Sequence, residues 1–60
     1  MKTYEIHLVD GTSDFVEGQT ADMHDGMITV YKLEFSGRKC IARTVAYQRS
    51  LEDVLEVTTK

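Results

Sequence analysis

The sequence predicts a single small domain, residues 1–60, that is mostly β-structure: an antiparallel meander or small barrel of about five strands. The first observation is the length, because 60 residues form one domain at most. The second is that apolar residues alternate with period two, the spacing of half-buried strands. The third is that Gly-containing turns separate the apolar runs roughly every 8–15 residues, while Pro is absent.

The first two runs predict strands of different regularity. Residues 2–9 alternate cleanly up to the turn at Asp10-Gly11. The second run, residues 13–23, is interrupted by Gly18, which predicts a bulge or sharp bend of the kind that curls a small sheet. The apolar face of the first run consists of Tyr4, Ile6 and Leu8.

The third run, residues 27–35, gives the strongest strand signal and follows a hairpin turn at His24-Asp25-Gly26. It is apolar on both faces, with Ile28 and Val30 on one of them. A strand that is apolar on both faces is expected to be central and bent. Alternatively, its second face is covered, for instance by another copy of the chain. The other face supplies the predicted oligomer interface: Tyr31, Leu33 and Phe35.

After a turn at residues 36–38, the fourth run spans residues 39–47. Strict alternation places Cys40 on the face opposite Ile41, where we expect a small buried or interface residue. The residues predicted to share the apolar face of this run are Ile41, Val45 and Tyr47.

The last stretch fits two structures. Ser50 followed by acids resembles a helix N-cap, and Leu55 and Val57 alternate as in a strand. We therefore expect one short helical turn near residues 50–53 and a closing strand over residues 54–58. The alternative is a four-stranded sheet plus a C-terminal helix over residues 42–57, because no Gly or Pro interrupts that segment. Its apolar stripe would be Ile41, Val45, Tyr47, Leu51, Val54 and Leu55.

Composition is that of a folded domain, with 42% apolar and 28% charged residues. No apolar run approaches the roughly 20 residues of a membrane span, and residues 1–20 do not resemble a secretion signal. A single cysteine forms no internal disulfide and suits the cytoplasm. Because so short a chain has a small core, we expect a homo-oligomer, most simply a dimer.

The order of strand, Asp-Gly, acidic bent strand, Asp-Gly and the segment Met27-Ile28-Thr29-Val30-Tyr31-Lys32 resembles small β proteins of phages and prophages. The resemblance covers most of residues 2–57. It implies an SH3-like rolled sheet and no catalytic residues, and for a phage-encoded chain it implies the host cytoplasm.

We expect no catalysis, cofactor or metal. Asp22, His24 and Asp25 are close in sequence and carry metal-binding atoms, but a hairpin turn already explains Asp25-Gly26, and an exposed His beside a turn needs no ligand role. Cys40 would need a base to act as a nucleophile, and nothing in the sequence places His7 beside it. A 60-residue domain also has little interior with which to enclose a reaction.

Charge is distributed unevenly around a net −3. Residues 1–30 carry six acids and one base, whereas residues 31–60 carry six bases and four acids. The acidic part predicts a protein-interaction module that binds a basic partner surface. The resemblance to phage proteins implies that this partner is a host factor, which the chain would bind as an inhibitor or adaptor. The residues predicted for this partner face are Glu17, Asp22 and Asp25.

The alternative function is nucleic-acid binding through the basic segment 32–49. Small β-barrels bind single strands with basic grooves and aromatic platforms, and aromatic residues are interspersed here. The acidic net charge argues against it, since such modules are usually basic. The predicted nucleic-acid contacts are Lys32, Arg38, Lys39 and Arg43.

Overall fold

Six strands and one turn of 3-10 helix make up the chain in a computed structural model, which describes residues 1–60. The strands form two antiparallel three-stranded sheets, of order β2-β1-β6 and β3-β4-β5. The mostly-β prediction is confirmed, and no helix is long and apolar enough to cross a membrane. The elements are β1 (Lys2–Leu8), β2 (Ser13–Gly18), β3 (Thr20–His24), β4 (Met27–Ser36), β5 (Lys39–Ser50), the 3-10 turn (Leu51–Asp53) and β6 (Val54–Thr59).

The core lies between the two sheets. β1 is the central strand of the first sheet, and its predicted apolar face is confirmed because Tyr4, Ile6 and Leu8 are all buried. They pack with Ile28 and Val30 of β4, the central strand of the second sheet. The side chains that border this core are Val16, Ala21, Tyr47, Leu51, Val54 and Val57.

The bend predicted at Gly18 is the point at which the chain passes from one sheet to the other. β2 pairs with β1, and after Gln19 the chain continues as β3, which pairs with β4. Gly18 is buried against β4 so closely that a Cβ would lie 2.5 Å from Val30 Cγ1 and 2.9 Å from the Tyr31 carbonyl oxygen. The predicted second run is therefore two strands, which raises the count to six.

The hairpin turn predicted between β3 and β4 is confirmed. Asp25 and Gly26 have φ angles of 53° and 71°, the left-handed pair that a two-residue hairpin turn requires. The register then continues directly from His24 opposite Met27.

The alternative of a helix over residues 42–57 is wrong. β5 continues to Ser50 and pairs with β4 from Ser36–Lys39 at one end to Met27–Ser50 at the other. An interior strand such as β4 needs hydrogen-bond partners along both edges, and β5 provides them on one side. The short helical turn follows as predicted, with the Ser50 hydroxyl accepting from the Glu52 amide at 3.4 Å.

Candidate functional site

A two-stranded arm extends beyond the body of the molecule. Pairing between β3 and β4 ends at Thr20–Tyr31, whereas β4 and β5 continue together to their turn. We call residues 32–45 the arm. The molecule measures 41 × 24 × 12 Å with a radius of gyration of 12.3 Å, against about 10 Å for a compact chain of this length. The arm therefore leaves the molecule elongated.

The arm is apolar on one face. Directly paired residues project from the same face of a sheet, and Tyr31 opposes Val45 while Phe35 opposes Cys40. Leu33 also lies on this face, opposite Arg43. Phe35, Ile41 and Val45 are 54%, 59% and 53% exposed. This apolar face of the arm (Leu33, Phe35, Ile41 and Val45) is left uncovered by the chain itself.

The other face of the arm is polar. Here Lys32 opposes Thr44, Glu34 opposes Ala42, and Ser36 opposes Lys39. All six are exposed. The arm thus has one polar, solvated face and one apolar face that the chain itself leaves uncovered.

Two bulges in β5 correct the predicted faces of this strand. The register against β4 shifts between Val30 and Tyr31, so that Tyr47 opposes Val30 on the core side and Val45 opposes Tyr31 on the other side. The prediction that Tyr47 shares a face with Val45 is therefore wrong, because an extra residue in a bulge reverses the alternation.

The second bulge lies between Glu34 and Phe35 and places Cys40 opposite Phe35. Cys40 is therefore on the apolar face of the arm, and strict alternation relative to Ile41 does not hold. Its thiol is exposed, so the prediction of a buried residue there is wrong, whereas an interface role is still untested.

The three residues predicted for self-association differ in exposure. Tyr31 is buried, because the guanidinium of Arg43 lies 4.3 Å from its ring centroid. Leu33 is half-buried and Phe35 is exposed. A partner would therefore contact Phe35 directly, while Tyr31 supports the arm from beneath Arg43.

Beyond the end of β3, one side chain hydrogen-bonds to the free backbone edge of β4. The Gln19 carboxamide accepts from the Leu33 amide at 3.0 Å and donates to the Leu33 carbonyl at 3.3 Å, as a neighbouring strand would. No feature of the sequence pattern marked Gln19 for this role. Beyond Leu33 this edge of β4 has no strand beside it, and the outer edge of β5 is open along its whole length.

Charge separates between the arm and the rest of the chain. The arm has four bases and one acid, net +3, and the remaining residues have three bases and nine acids, net −6. None of the arm bases takes part in the ion pairs of the molecule, which involve only His7, Arg49 and Lys60 as cations. The predicted nucleic-acid contacts all lie on the arm but not on one face: Lys32 and Lys39 are on the polar face, Arg43 is on the apolar face, and Arg38 is in the turn between β4 and β5.

The predicted partner face lies on and beside β3. Asp22 is in the strand, Asp25 is in the turn after it, and Glu17 precedes it at the end of β2. All three are exposed, and none has an ion-pair partner in the chain. β3 is also an edge strand, so these acids border an open row of backbone groups.

The side chains considered for metal binding and for catalysis are exposed or half-buried. The surface has no concave pocket, and no three His, Cys, Asp or Glu side chains lie close enough to hold a metal ion, which includes Asp22, His24 and Asp25. His7 contacts Ser13 through Nδ1 at 3.2 Å and Glu5 through Nε2 at 3.6 Å. These are contacts between neighbouring side chains on the surface of the first sheet.

The chain matches no model of a known protein family, no curated protein and no solved structure.

A polar cluster joins the two sheets at the base of the arm. The Tyr47 hydroxyl donates to Asp14 Oδ2 at 2.7 Å, and Arg49 lies 3.8 Å from the same oxygen and 3.7 Å from Asp53. Burial and the hydrogen bond to Asp14 raise the pKa of Tyr47 above its ordinary 10.0. The cluster ties β5 to β2 and to the 3-10 turn.

We expect this cluster to make stability fall in alkali. Since the folded-state pKa of Tyr47 is raised, its contribution is complete below pH 10 and is lost as the pH rises through the folded-state pKa, which lies above 10.0. Tyr47→Phe should lower the free energy of unfolding by about 1 kcal/mol at pH 8. The difference between the two proteins in urea melts should shrink as the pH is raised above 10, and an unchanged difference would contradict this assignment.

Proposed function

We propose that this chain is a non-catalytic protein-interaction module that acts by occupying the surface of another macromolecule, as a phage-encoded inhibitor or adaptor of a host protein would. The observation that carries the proposal is the uncovered apolar face of the arm on a molecule without a pocket. Exposed apolar patches on small proteins mark contact surfaces. The cytoplasm, expected from the single unpaired cysteine, is part of the proposal.

Self-association through the arm is the first element of the proposal. A two-stranded hairpin is marginal in water unless a further layer or strand covers its apolar face. Three side chains on the apolar face of the arm are more than half exposed. The core between the two sheets contains few buried residues. A second copy that covers Phe35 and its neighbours would stabilise both arms, which favours a homodimer.

Replacing Phe35 and Ile41 by serine should give a folded monomer. Both side chains are exposed, so the fold loses little, whereas the contact loses its two largest exposed apolar groups. Sedimentation equilibrium of the parent and the double variant checks this, with circular dichroism to confirm folding. Tyr31 is left unchanged because it is buried.

The matched control is Phe15→Ser combined with Leu55→Ser. These residues are 62% and 70% exposed and lie on β2 and β6, away from the arm. The control should keep the solution mass of the parent. An arm variant that is folded and keeps the parent mass would rule out the arm as the self-association surface.

A basic partner surface is the second element of the proposal. Glu17, Asp22 and Asp25 are exposed and unpaired, and the chain has no Lys or Arg between Lys2 and Lys32. Such a surface speeds and orients encounter with a positively charged protein. Salt should weaken this contact, because exposed charges are screened within about 10 Å at 0.1 M.

Capture from host-cell lysate with tagged protein tests the partner. We expect a discrete protein that is retained after nuclease treatment and lost when Glu17 and Asp22 are changed to Lys and Asp25 to Asn. Asparagine is chosen at position 25 because it tolerates the φ of 53°. Retention of the same protein by the triple variant would remove these acids from the contact.

Nucleic-acid binding is the second candidate, favoured by the gathering of Lys32, Arg38, Lys39 and Arg43 on one arm together with the exposed ring of Phe35. It predicts that nuclease releases everything captured from lysate. It also predicts that Lys39→Glu with Arg43→Glu abolishes binding of a single-stranded oligonucleotide, whereas the triple acidic-face variant does not.

We also infer that the two sheets form one SH3-like rolled sheet, the fold that the resemblance to phage proteins implies. Support comes from the passage of the chain between the sheets across the single residue Gln19, which makes β2 and β3 parts of one bent segment.

A further inference from the structure

The arm and β3 are complementary in two independent respects. Each has an open strand edge: the outer edge of β5 in the arm and the outer edge of β3. Their charges are opposite, and on both sides the charges lack ion-pair partners within the chain.

We propose that the arm of one copy binds along the β3 edge of a second copy, with β5 of the first adding as a strand to β3 of the second. The inference rests on the self-association in the proposed function and adds an edge contact to it, since strand addition engages the outer edge of β5 and not the apolar face of the arm. Strand addition satisfies the open backbone groups of both edges, and side-chain charge sets the choice of partner.

Pairing of two β5 edges with each other is disfavoured by the same charges. β5 has three bases and no acid along its twelve residues. A symmetric β5–β5 contact would bring together at least four cations with no anion between them, and like charges across a strand pair are destabilising. The contact is therefore between different surfaces of the two copies.

A five-residue pairing is available to the two edges. β3 has five residues, 20–24, and residues 41–45 are the part of the twelve-residue β5 that we set against them. An antiparallel pairing of these segments sets Asp22 opposite Arg43 and brings Asp25 within one residue of Lys39. The arm then occupies the acidic face that a basic host protein would use, so self-association and partner binding compete.

A charge exchange tests the contact. The arm variant carries Lys39→Glu and Arg43→Glu, and the β3 variant carries Asp22→Lys and Asp25→Asn. In 50 mM salt, after nuclease treatment, we expect the association constant of either variant alone to fall about tenfold or more, measured by sedimentation equilibrium. An equimolar mixture should recover most of the parent affinity, because the acidic arm of one variant then meets the basic β3 edge of the other.

The control for net charge is Lys2→Glu with Lys60→Glu, which changes the total by the same amount as the arm variant but lies outside the arm. It should associate like the parent. Recovery of affinity in the mixture supports the proposal, since a general effect of net charge would not restore the affinity.

Any of three results would overturn the inference. If either variant alone associates as tightly as the parent, the charges do not form the contact, while the apolar-face dimer stays open to its own serine test. If the parent associates only before nuclease treatment, the arm binds nucleic acid instead. A parent that is monomeric at all concentrations would overturn the self-association itself.

Discussion

Gly18→Ala is expected to lower the free energy of unfolding by about 3 kcal/mol, close to the whole stability that a 60-residue core provides. A Cβ at this position would lie 2.5 Å from Val30 Cγ1 and 2.9 Å from the carbonyl oxygen of Tyr31. The oxygen belongs to the backbone of a central strand and has little freedom to move. Urea melts followed by circular dichroism measure the loss.

The matched control is Gly26→Ala in the hairpin turn. Its φ of 71° is also unfavourable for alanine, but a Cβ there would have no neighbour within 4 Å. We expect a loss of about 1–2 kcal/mol from backbone strain alone. If the two variants were equally stable, the close packing of Gly18 against β4 would be refuted.

Ile6→Ala is expected to cost about 2–5 kcal/mol, because Ile6 is fully buried between the sheets and its removal leaves a cavity. Since the domain has little stability to lose, much of the population should be unfolded at room temperature in dilute solution. The urea midpoint should rise with protein concentration if self-association stabilises the folded chain.

The same substitution at Ile41 provides the comparison, since this residue is 59% exposed on the arm. At concentrations where the chain is monomeric, Ile41→Ala should cost less than about 1 kcal/mol. Equal losses at the two positions would mean that the arm is packed against the chain itself, contrary to its exposure.

In the proposed arm contact, the basic half of one copy binds the acidic half of another. The acids and bases are separated along the chain, and they remain unpaired when it folds, apart from those near Arg49 and the chain ends. Folding therefore preserves the charge separation on the surface. This separation is the physical basis of both proposed contacts, the one with a basic partner and the one with a second copy.

Several features followed from local sequence. Alternation in β1 identified Tyr4, Ile6 and Leu8 as core, because one face of a pleated strand is buried as a unit. Asp25-Gly26 identified its turn through the left-handed backbone it requires. Ser50 identified the short helical turn through its capping hydroxyl.

The candidate site was only partly predictable. The apolar character of Phe35 and the basic character of residues 38–43 were visible, but the exposure of the first and the burial of Tyr31 were not. Burial of Tyr31 depends on Arg43, which lies twelve residues away and is brought over the ring by strand pairing. The hydrogen bonds of Gln19 to the edge of β4 at Leu33 likewise join residues fourteen positions apart in the chain.

The sequence by itself determined the class of fold, the identity of the central strands' core residues and the position of the turns, because each depends on neighbours a few residues apart. Only the tertiary structure decided that β1 pairs with β6, that bulges in β5 reverse its faces, and that β4 and β5 extend beyond β3 as an arm. These features depend on which distant edges meet and in which register. Hydrogen bonds between strands decide the pairing and the register, and the residues that they join are far apart in the chain.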